Sequence, residues 1–350
     1  MTSPAATEAI LEPDLPIIDP HHHLWDWPEA LFADRPVPMH GFDTVIRRAA
    51  RYLLPQFLAD LNTGHNIRAT VYVQCGAMHR AEGPEAFKPV GETEFVNGVA
   101  AMCASGTYGP IRACAGIVGH VDLTAGAAVS AVLEAHLRAG GDRFRGIRHS
   151  ASYDADSNVL GPLVRVGAGL FTAKPFREGY AQLGKYNLSF DAWLLEPQLG
   201  ELIDLARAFP NTPVILDHVG TPLGVASYQG RREERFPIWR DHIRKLAALP
   251  NVSVKLGGLS MAFCNFPSFL QTPAASSAQL ANEWKPYIEA CIEHFGVNRC
   301  MFESNFPVDM GSCTYPMLWN AFKVLTRNYS AAEKTSLFSG TAARVYRLTI

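Results

Sequence analysis

The sequence predicts an α/β fold, a single (β/α)8 TIM barrel with long βα loops at the C-terminal face. The first observation is that eight short apolar segments recur, each followed by a segment with helical periodicity. The second is the length, because barrels of this kind often hold about 350 residues as one domain. The third is that polar side chains follow the apolar segments directly, at the end of the strands where barrels build their sites.

Each apolar segment is predicted as a strand and each periodic segment as a helix. The strands are predicted at 16–21, 69–74, 111–118, 144–149, 187–192, 213–217, 252–256 and 299–302. The helices are predicted at 46–61, 92–105, 127–139, 176–185 and 196–209, and within 315–327 and 331–346. Residues 150–173 are predicted to be loop with a short helix at 160–166, and two longer excursions, 221–239 and 262–283, follow strands six and seven. We expect residues 1–15 to be a flexible N-terminal segment and residues 16–350 to form the barrel.

Composition excludes several classes of protein. Hydrophobic residues make up 48% of the chain and charged residues 18%, and the formal net charge is −2, so we expect no nucleic-acid or membrane partner. The seven cysteines include no CxxC pair, which argues against a disulfide framework and a thiolate zinc site. The sequence has no secretory signal or apolar span, so we expect a cytoplasmic protein with a small-molecule substrate, and a homodimer by general symmetry preferences.

Three consecutive histidines follow the first predicted strand. Alternation along an extended chain would aim His21 and His23 to one side and His22 to the other, where it packs or hydrogen-bonds outside the barrel. Neutral imidazole is a common ligand of transition metals, and His218 at the end of strand six would supply a third one. The pattern therefore predicts a divalent metal, of the zinc type, on His21, His23 and His218.

Other polar residues at strand ends are candidates for binding substrate. Arg148 suits a substrate carboxylate through its planar fork, although it equally suits a structural ion pair. Gln74 and Lys255 are also candidates, but such strand-end groups more often satisfy their neighbours. The remaining candidates near strand ends are Trp25, His149 and Asp191. Six further histidines are predicted to lie on the surface: His40, His65, His79, His136, His242 and His294.

Taken together, these segments resemble the amidohydrolase superfamily, and more narrowly its "amidohydrolase 2" branch of lactonases and decarboxylases. The resemblance rests on 18–25, 73–74, 145–149, 216–220, 254–259 and 301–308, in order along nearly the whole chain. It implies a barrel with its site at the C-terminal face, with the family's HxH pair on His21 and His23 and its later histidine on His218. The branch includes enzymes that use one divalent metal and enzymes that use none, so metal-independent catalysis stays open.

Two positions depart from the family pattern. The resemblance places the family's final catalytic aspartate at Asn305, and an amide cannot act as a general base. Glu303 stands where the family has glycine, and it is a candidate to replace the missing acid because strand alternation could point it to the same side. The superfamily's bridging lysine on strand four is absent, which argues against a binuclear centre. The candidate catalytic residues are therefore His218, Glu303 and Asn305.

Three functions are compatible with this pattern. The leading one is a hydrolase that opens the lactone ring of a sugar acid or of an aromatic-catabolism intermediate by attack of an activated water. The second is a metal-dependent, non-oxidative decarboxylase of an aromatic or unsaturated acid. The third is a catalytically weakened barrel that binds a small molecule, which would gain support if Glu303 faced the helix layer instead of the pocket.

Overall fold

The computed structural model describes residues 8–32, 40–163 and 166–349, and eight parallel strands form a nearly closed barrel within them. The strands run in chain order: β1 Pro16–His22, β2 Asn66–Val73, β3 Arg112–Gly119, β4 Phe144–Arg148, β5 Ser189–Ala192, β6 Val214–Leu216, β7 Val252–Leu256 and β8 Cys300–Phe302. Each strand pairs with the next one in sequence, as βαβ units require. The predicted single (β/α)8 barrel is thereby confirmed.

Helices surround the strands. They are α1 Gly41–Arg48, α2 Leu54–Leu61, α3 Val90–Ala104, α4 Val129–Gly140, α5 Ser157–Leu160, α6 Lys174–Leu183, α7 Leu199–Ala208, α8 Arg232–Ala247, α9 Ser277–Phe295, α10 Tyr315–Leu325, α11 Ala331–Thr335 and α12 Thr341–Val345. Their apolar faces and the outer faces of the strands form the main hydrophobic core, because each parallel strand must bury both faces. No helix in these ranges is long and apolar enough to cross a bilayer.

The predicted helix over 46–61 is wrong, because the structure has two helices there. Residues Arg51–Tyr52 leave the helical path and pair antiparallel with Trp25–Asp26, and Pro55 then starts α2 in its first turn, where a proline is tolerated. The second half of the predicted excursion over 221–239 is also wrong, since α8 begins at Arg232. In the predicted short helix over 160–166, residues 164–165 lie outside the described residues, and the helical turns cover Ser157–Leu160 and Gly161–Leu163.

The predicted surface position holds for His79, but it is wrong for His65 and His136, which are buried. Nδ1 of His65 accepts from Lys323, and His136 contacts Thr93 at 2.8 Å. Both rings are therefore satisfied by polar partners inside the helix layer, as buried histidines require.

The N-terminal segment contacts the last helices. Residues 1–7 of the predicted flexible segment lie outside the described residues. Nζ of Lys323, on α10, donates to the carbonyls of Leu11 at 2.8 Å and Glu12 at 2.9 Å. The amide of Leu11 donates to Oδ1 of Asn320. These hydrogen bonds attach residues 8–15 to the outside of the barrel.

A second, smaller core fills the barrel interior below the polar site. Its members come from strands on opposite sides of the barrel and from the C-terminal helix: Ile18, Ala69, Val71, Val73, Val118, Ile215, Met301, Ala342 and Tyr346. Tyr346 is fully buried and enters this interior from the end of α12. The C-terminal segment therefore closes the bottom of the barrel and supports the floor of the site above it.

The seam between β1 and β8 is held by a buried carboxylate. Oδ1 of Asp19 accepts from the amide of Ser304 at 3.0 Å, and Oδ2 accepts from the hydroxyl of Tyr315 at 3.1 Å. Backbone bonds continue the seam past the end of β8, from the amide of His23 to the carbonyl of Phe306 at 2.8 Å. Asp19 therefore connects the first strand to the segment that carries the last candidate residues.

We predict that Asp19→Ala lowers the free energy of unfolding by about 2–4 kcal/mol, because it leaves buried donors without an acceptor. Asp26→Ala is the matched control, since its ion pair with Arg51 spans 3.7 Å at the surface and should contribute under about 1 kcal/mol. Urea denaturation of both variants measures the difference. Equal losses would show that the seam does not depend on this carboxylate.

Candidate active site

The first strand directs two of its three histidines into the barrel mouth. The ring of His22 faces the helix layer, as the alternation predicts, and stacks on Phe57 with centroids 4.1 Å apart. His21 and His23 lie on the inner side, with ring centroids 4.9 Å apart. Nδ1 of His23 lies 2.7 Å from the carbonyl of Val73 and must donate to it, so Nε2 of a neutral ring is unprotonated.

Glu303 is the carboxylate on which the histidines converge. Its side chain is fully buried and faces the barrel interior, where Oε1 lies 2.7 Å from Nδ1 of His218 and Oε2 lies 2.8 Å from Nδ1 of His21. The amide of His218 also donates to Oε1, at 3.2 Å. Burial raises the pKa of Glu303, but the attraction of His218 and His21 outweighs burial and brings that pKa to about 2. Glu303 is therefore an anion that orients both imidazoles.

Two glycines after β7 provide the space for this arrangement. A Cβ on Gly257 would lie 2.4 Å from Cγ of Glu303, and a Cβ on Gly258 would lie 2.4 Å from the ring of His218. Gly258 also has a φ of +68°, which favours glycine. The Gly257-Gly258 pair is thus required by the close approach of Glu303 and His218.

His218 itself is held in an uncommon backbone conformation. Its φ is +56°, and Val219 after it has a φ of +47°, which is rare for a β-branched residue. Residues other than glycine adopt a positive φ mainly where the surrounding structure enforces it, and such residues are concentrated at functional sites. The strained turn after β6 places the ring of His218 over the end of the barrel.

A buried ion network lies beneath the histidines. Nζ of Lys255 donates to Oδ2 of Asp191 at 2.6 Å and lies 3.0 Å from Oδ1 of Asp217. The hydroxyl of Tyr346 donates to the same oxygen of Asp191 at 2.6 Å, and burial raises the pKa of Asp191 to about 6. Nζ of Lys255 also lies 3.1 Å from Nδ1 of His21. Burial and this ammonium together lower the pKa of His21 well below its usual range, so His21 is neutral.

Arg148 is a cation at the barrel mouth. Nη1 donates to Nε2 of His21 at 3.2 Å and lies 3.6 Å from Oδ2 of Asp217, while Nη2 donates to the carbonyl of Gln74. Its guanidinium carbon lies 5.7 Å from the ring centroid of Trp193. These contacts fix the plane of the guanidinium at the barrel mouth.

A cavity of about 470 Å³ opens above these groups, and we call it the catalytic lobe. Its wall combines the polar residues His23, Arg148, His218 and Asn305 with aromatic rings that include Trp25, Trp27 and Trp193. Small-molecule sites commonly combine such an apolar wall with a few convergent polar groups. The lobe is large enough to enclose a single substituted ring.

Three residues offer donor atoms for a divalent cation. The ligand atoms of His21, Asp217 and His218 lie within 4.8 Å of one another, and Asp217 also forms ion pairs with Lys255 and Arg148. Imidazole nitrogen and carboxylate oxygen are the ligands zinc prefers, so this donor set fits the metal in kind. Arg148 and Lys255 contact the same donors. His23, the third predicted ligand, is not a member of this group.

A family model described as amidohydrolase matches residues 18–348. The chain belongs to this amidohydrolase family. The resemblance read from the sequence is thereby confirmed.

Several known proteins resemble the chain over nearly its full length. An uncharacterised protein of Sinorhizobium fredii, y4mH, is 33% identical over 96% of this chain and 99% of its own. An L-fucono-1,5-lactonase of Burkholderia multivorans is 29% identical over 95% of this chain and 96% of its own. A crystal structure of an amidohydrolase from Burkholderia multivorans with bound zinc is 25% identical, with a TM-score of 0.70, over 95% of this chain and 99% of that one.

The structure brings most of the predicted site residues of this amidohydrolase to the barrel mouth. Gln74 contributes its backbone carbonyl to Arg148. His149 and Gln74 line a neighbouring cavity. Trp25 lines the catalytic lobe and donates from Nε1 to the carbonyl of Ala49 at 2.7 Å. Asn305 lines the catalytic lobe, and its Nδ2 donates to Oδ1 of Asp309 at 2.8 Å, which anchors the amide.

The sequence reasoning did not select Asp217 or Trp193 as site residues. Asp217 directly follows β6 and precedes His218, so its position at a strand end was the available signal. Trp193 follows β5 in the same way. For Asp217 and His218, the sequence does not show which of two adjacent side chains turns into the barrel. Trp193 lies two residues after Asp191, so alternation was a signal that both could face the same side.

We predict that Gly258→Ala lowers the free energy of unfolding by about 2–4 kcal/mol, because the new methyl group collides with the ring of His218 at a positive φ. Gly200→Ala, in helix α7, is the matched control, since nothing lies within 4 Å of its added Cβ. That substitution should be neutral or stabilise by up to about 1 kcal/mol. Thermal unfolding of the two variants compares them, and a neutral Gly258→Ala would contradict the packing argument.

Proposed function

We propose that this amidohydrolase is a lactonase that opens the ring of a sugar-acid lactone by attack of an activated water. The observation that carries the proposal is the contact between Glu303 and His218, because it defines which nitrogen of His218 can take a proton. A carboxylate anion only accepts hydrogen bonds, so Nδ1 of His218 carries the hydrogen. Nε2 is then the basic nitrogen of a ring that lines the catalytic lobe.

The dyad of His218 and Glu303 acts as a general base. Nε2 of His218 takes a proton from water while the water oxygen bonds to the lactone carbonyl carbon. Glu303 stabilises the imidazolium that forms, as the carboxylate does in a serine-protease triad. The guanidinium of Arg148 faces the developing oxyanion. The ring C–O bond then breaks, the departing oxygen takes the proton back from His218, and the product is a hydroxy acid.

The charge around the dyad suits this cycle. Arg148 carries a fixed positive charge at the cavity wall, which stabilises first the oxyanion and then the product carboxylate. Lys255 compensates Asp191 and Asp217 below, so these buried carboxylates do not repel the product. The aromatic rings of the lobe, which include Trp25 and Trp27, can pack against the C–H face of a lactone ring.

The other two functions have less support in the geometry. Glu303 faces the histidines instead of the helix layer, which counts against a barrel that only binds. A metal-dependent decarboxylase depends on a cation held by donors that Arg148 and Lys255 already contact. The relatives named as L-fucono-1,5-lactonases favour a sugar-acid lactone over an aromatic one.

A divalent cation would be an alternative to the dyad and not a part of it, because Glu303 engages Nδ1 of His218 and the cation would take Nε2, the nitrogen that serves as the base. His21, Asp217 and His218 would hold it, and zinc is our choice because the donors are nitrogen and carboxylate oxygen. When bound, such an ion would supply Lewis-acid polarisation of an oxygen ligand. The dyad and Arg148 supply a base and an oxyanion partner from the chain itself.

We predict that Glu303→Gln lowers kcat for lactone opening by about 10²–10⁴-fold, because the amide no longer fixes the tautomer of His218. His218→Asn should cause a similar loss, and the double variant should lose little more, since the two residues act as a unit. Glu289→Gln, on the exposed face of α9, is the control and should be unchanged. The assay measures proton release from a panel of 1,5-lactones, including L-fucono-1,5-lactone, above spontaneous hydrolysis.

A Glu303→Gln variant with the kcat of the wild-type protein would contradict the dyad mechanism. Absence of lactone opening by the wild-type protein across the panel would contradict the proposed function itself. The same preparation tested for CO₂ release from aromatic acids would then show whether decarboxylation replaces it.

We predict that lactone opening persists after removal of divalent cations, because both the base and the oxyanion partner are side chains. The measurement is kcat/KM before and after chelation, with elemental analysis to establish that the metal is gone. Addition of zinc to the chelated protein is the control. Loss of activity that zinc restores would assign water activation to the cation instead of to the dyad.

A further inference from the structure

A second cavity lies on the far side of Arg148 and Trp193. It measures about 670 Å³ and shares four wall residues with the catalytic lobe, namely Cys75, Gly76, Arg148 and Trp193. We call it the histidine lobe and define it by His120, Asp122, Thr124, His149 and Gly167. The dyad does not use any of these five residues.

We propose that the histidine lobe is a subsite for an uncharged, hydroxyl-rich group carried by the substrate, such as a second sugar unit attached to the lactone. The inference rests on the proposed lactonase function and extends it to the class of substrate. A ligand that crosses the shared wall would present its lactone carbonyl to His218 and its other end to the histidine lobe. Arg148 would then lie between the two parts.

The hydrogen bonds of the two buried histidines define what the lobe offers. Nδ1 of His149 accepts from the amide of Leu123 at 3.2 Å, so the proton of the neutral ring is on Nε2. Nδ1 of His120 lies 3.0 Å from the carbonyl of Arg148 and must donate to it, which leaves Nε2 as an acceptor. The rings meet edge to face with centroids 5.1 Å apart. The lobe therefore presents one donor and one acceptor side by side, which is what a hydroxyl group needs.

The charges in the lobe disfavour an anion. Burial lowers the pKa of His149 to about 4 and also lowers the pKa of His120, so both rings are neutral near pH 7. Asp122, whose carboxylate accepts from the amide of Thr124 at 3.0 Å, adds a negative charge. Nη1 and Nη2 of Arg148, at the wall, already donate to His21 and Gln74. The proposed mechanism already assigns Arg148 to the oxyanion and the product carboxylate in the catalytic lobe. The groups left to the histidine lobe are two neutral rings and a carboxylate, which suit hydroxyls better than a second anion.

The volume of the histidine lobe also supports a substrate with a second sugar unit. The catalytic lobe alone can enclose one lactone ring, and the histidine lobe is the larger of the two. A substrate of one sugar unit would leave the histidine lobe filled with water. A glycosylated lactone would place its second unit against the paired imidazoles.

The test compares non-hydrolysable products, so that binding is separated from chemistry. Calorimetry measures the affinity of gluconate against maltobionate, cellobionate and lactobionate, which carry one additional sugar unit. We expect at least one disaccharide acid to bind roughly tenfold more tightly, the effect of one or two hydrogen bonds. Kinetics on the corresponding lactones should show a similar ratio of kcat/KM.

Two variants are designed to remove that preference. Gly167→Trp is designed to fill the histidine lobe, because Gly167 lines the lobe and nothing lies within 4 Å of a Cβ added there. Gly98→Trp, on the exposed face of α3 with equally open surroundings, is the matched control and should keep the preference. His120→Phe removes the acceptor without filling the lobe, and it replaces Gly167→Trp if that variant does not fold.

The outcomes separate the subsite from the proposed function. Equal affinity for all four acids in the wild-type protein, or a preference that survives both Gly167→Trp and His120→Phe, overturns the subsite. A preference that these variants abolish supports it. If the preference exists but none of the lactones is opened, the subsite is supported and the lactonase function is overturned.

Discussion

The site depends on one buried carboxylate that is shared by two imidazoles. Glu303 comes from the segment after β8, His21 from β1 and His218 from the turn after β6, so the carboxylate joins three separate parts of the barrel end. An ionised carboxylate without partners would be very costly at this depth. Its two histidines and the amide of His218 compensate that cost, and in return their rings are oriented. The strained turn at His218 and the glycines after β7 follow from the same contact.

Charge balance continues downward from this contact to the floor of the barrel. Lys255 lies between Asp191 and Asp217, and Tyr346 reaches Asp191 from the C-terminal helix. Removing one member of such a network leaves another charge unpaired in a medium of low dielectric constant, which is why these groups stabilise each other as a set. Tyr346, which is not among the residues that line the catalytic lobe, is in this way coupled to the acids near His21.

Much of this arrangement was predictable from the sequence, and the reason is periodicity. Alternation along β1 predicts the opposite directions of His22 and His21, and the βα pattern predicts the barrel. The break at 49–53 was not predictable in the same way, because apolar spacing continues across the short strand Arg51–Tyr52. Nor could spacing reveal that His65 and His136 are buried, since that depends on Lys323 and Thr93, which are far away in the chain. The partners of Asp217 likewise come from β4 and β7.

The residues at positions 303 and 305 determine how an acid can act at this site. In the family pattern that the sequence resembles, position 303 is glycine and position 305 is the aspartate. Here the carboxylate stands two positions earlier, at Glu303, and an amide, Asn305, takes the later position. Asn305 has a φ of +53° and donates to Asp309, so the chain has already turned away from the strand direction there. Glu303, directly after β8, points into the barrel below the rings and contacts both of them. In the proposed mechanism the acid therefore acts on water through His218, and it orients a base instead of serving as one. A base of two residues would then take the place of a single aspartate.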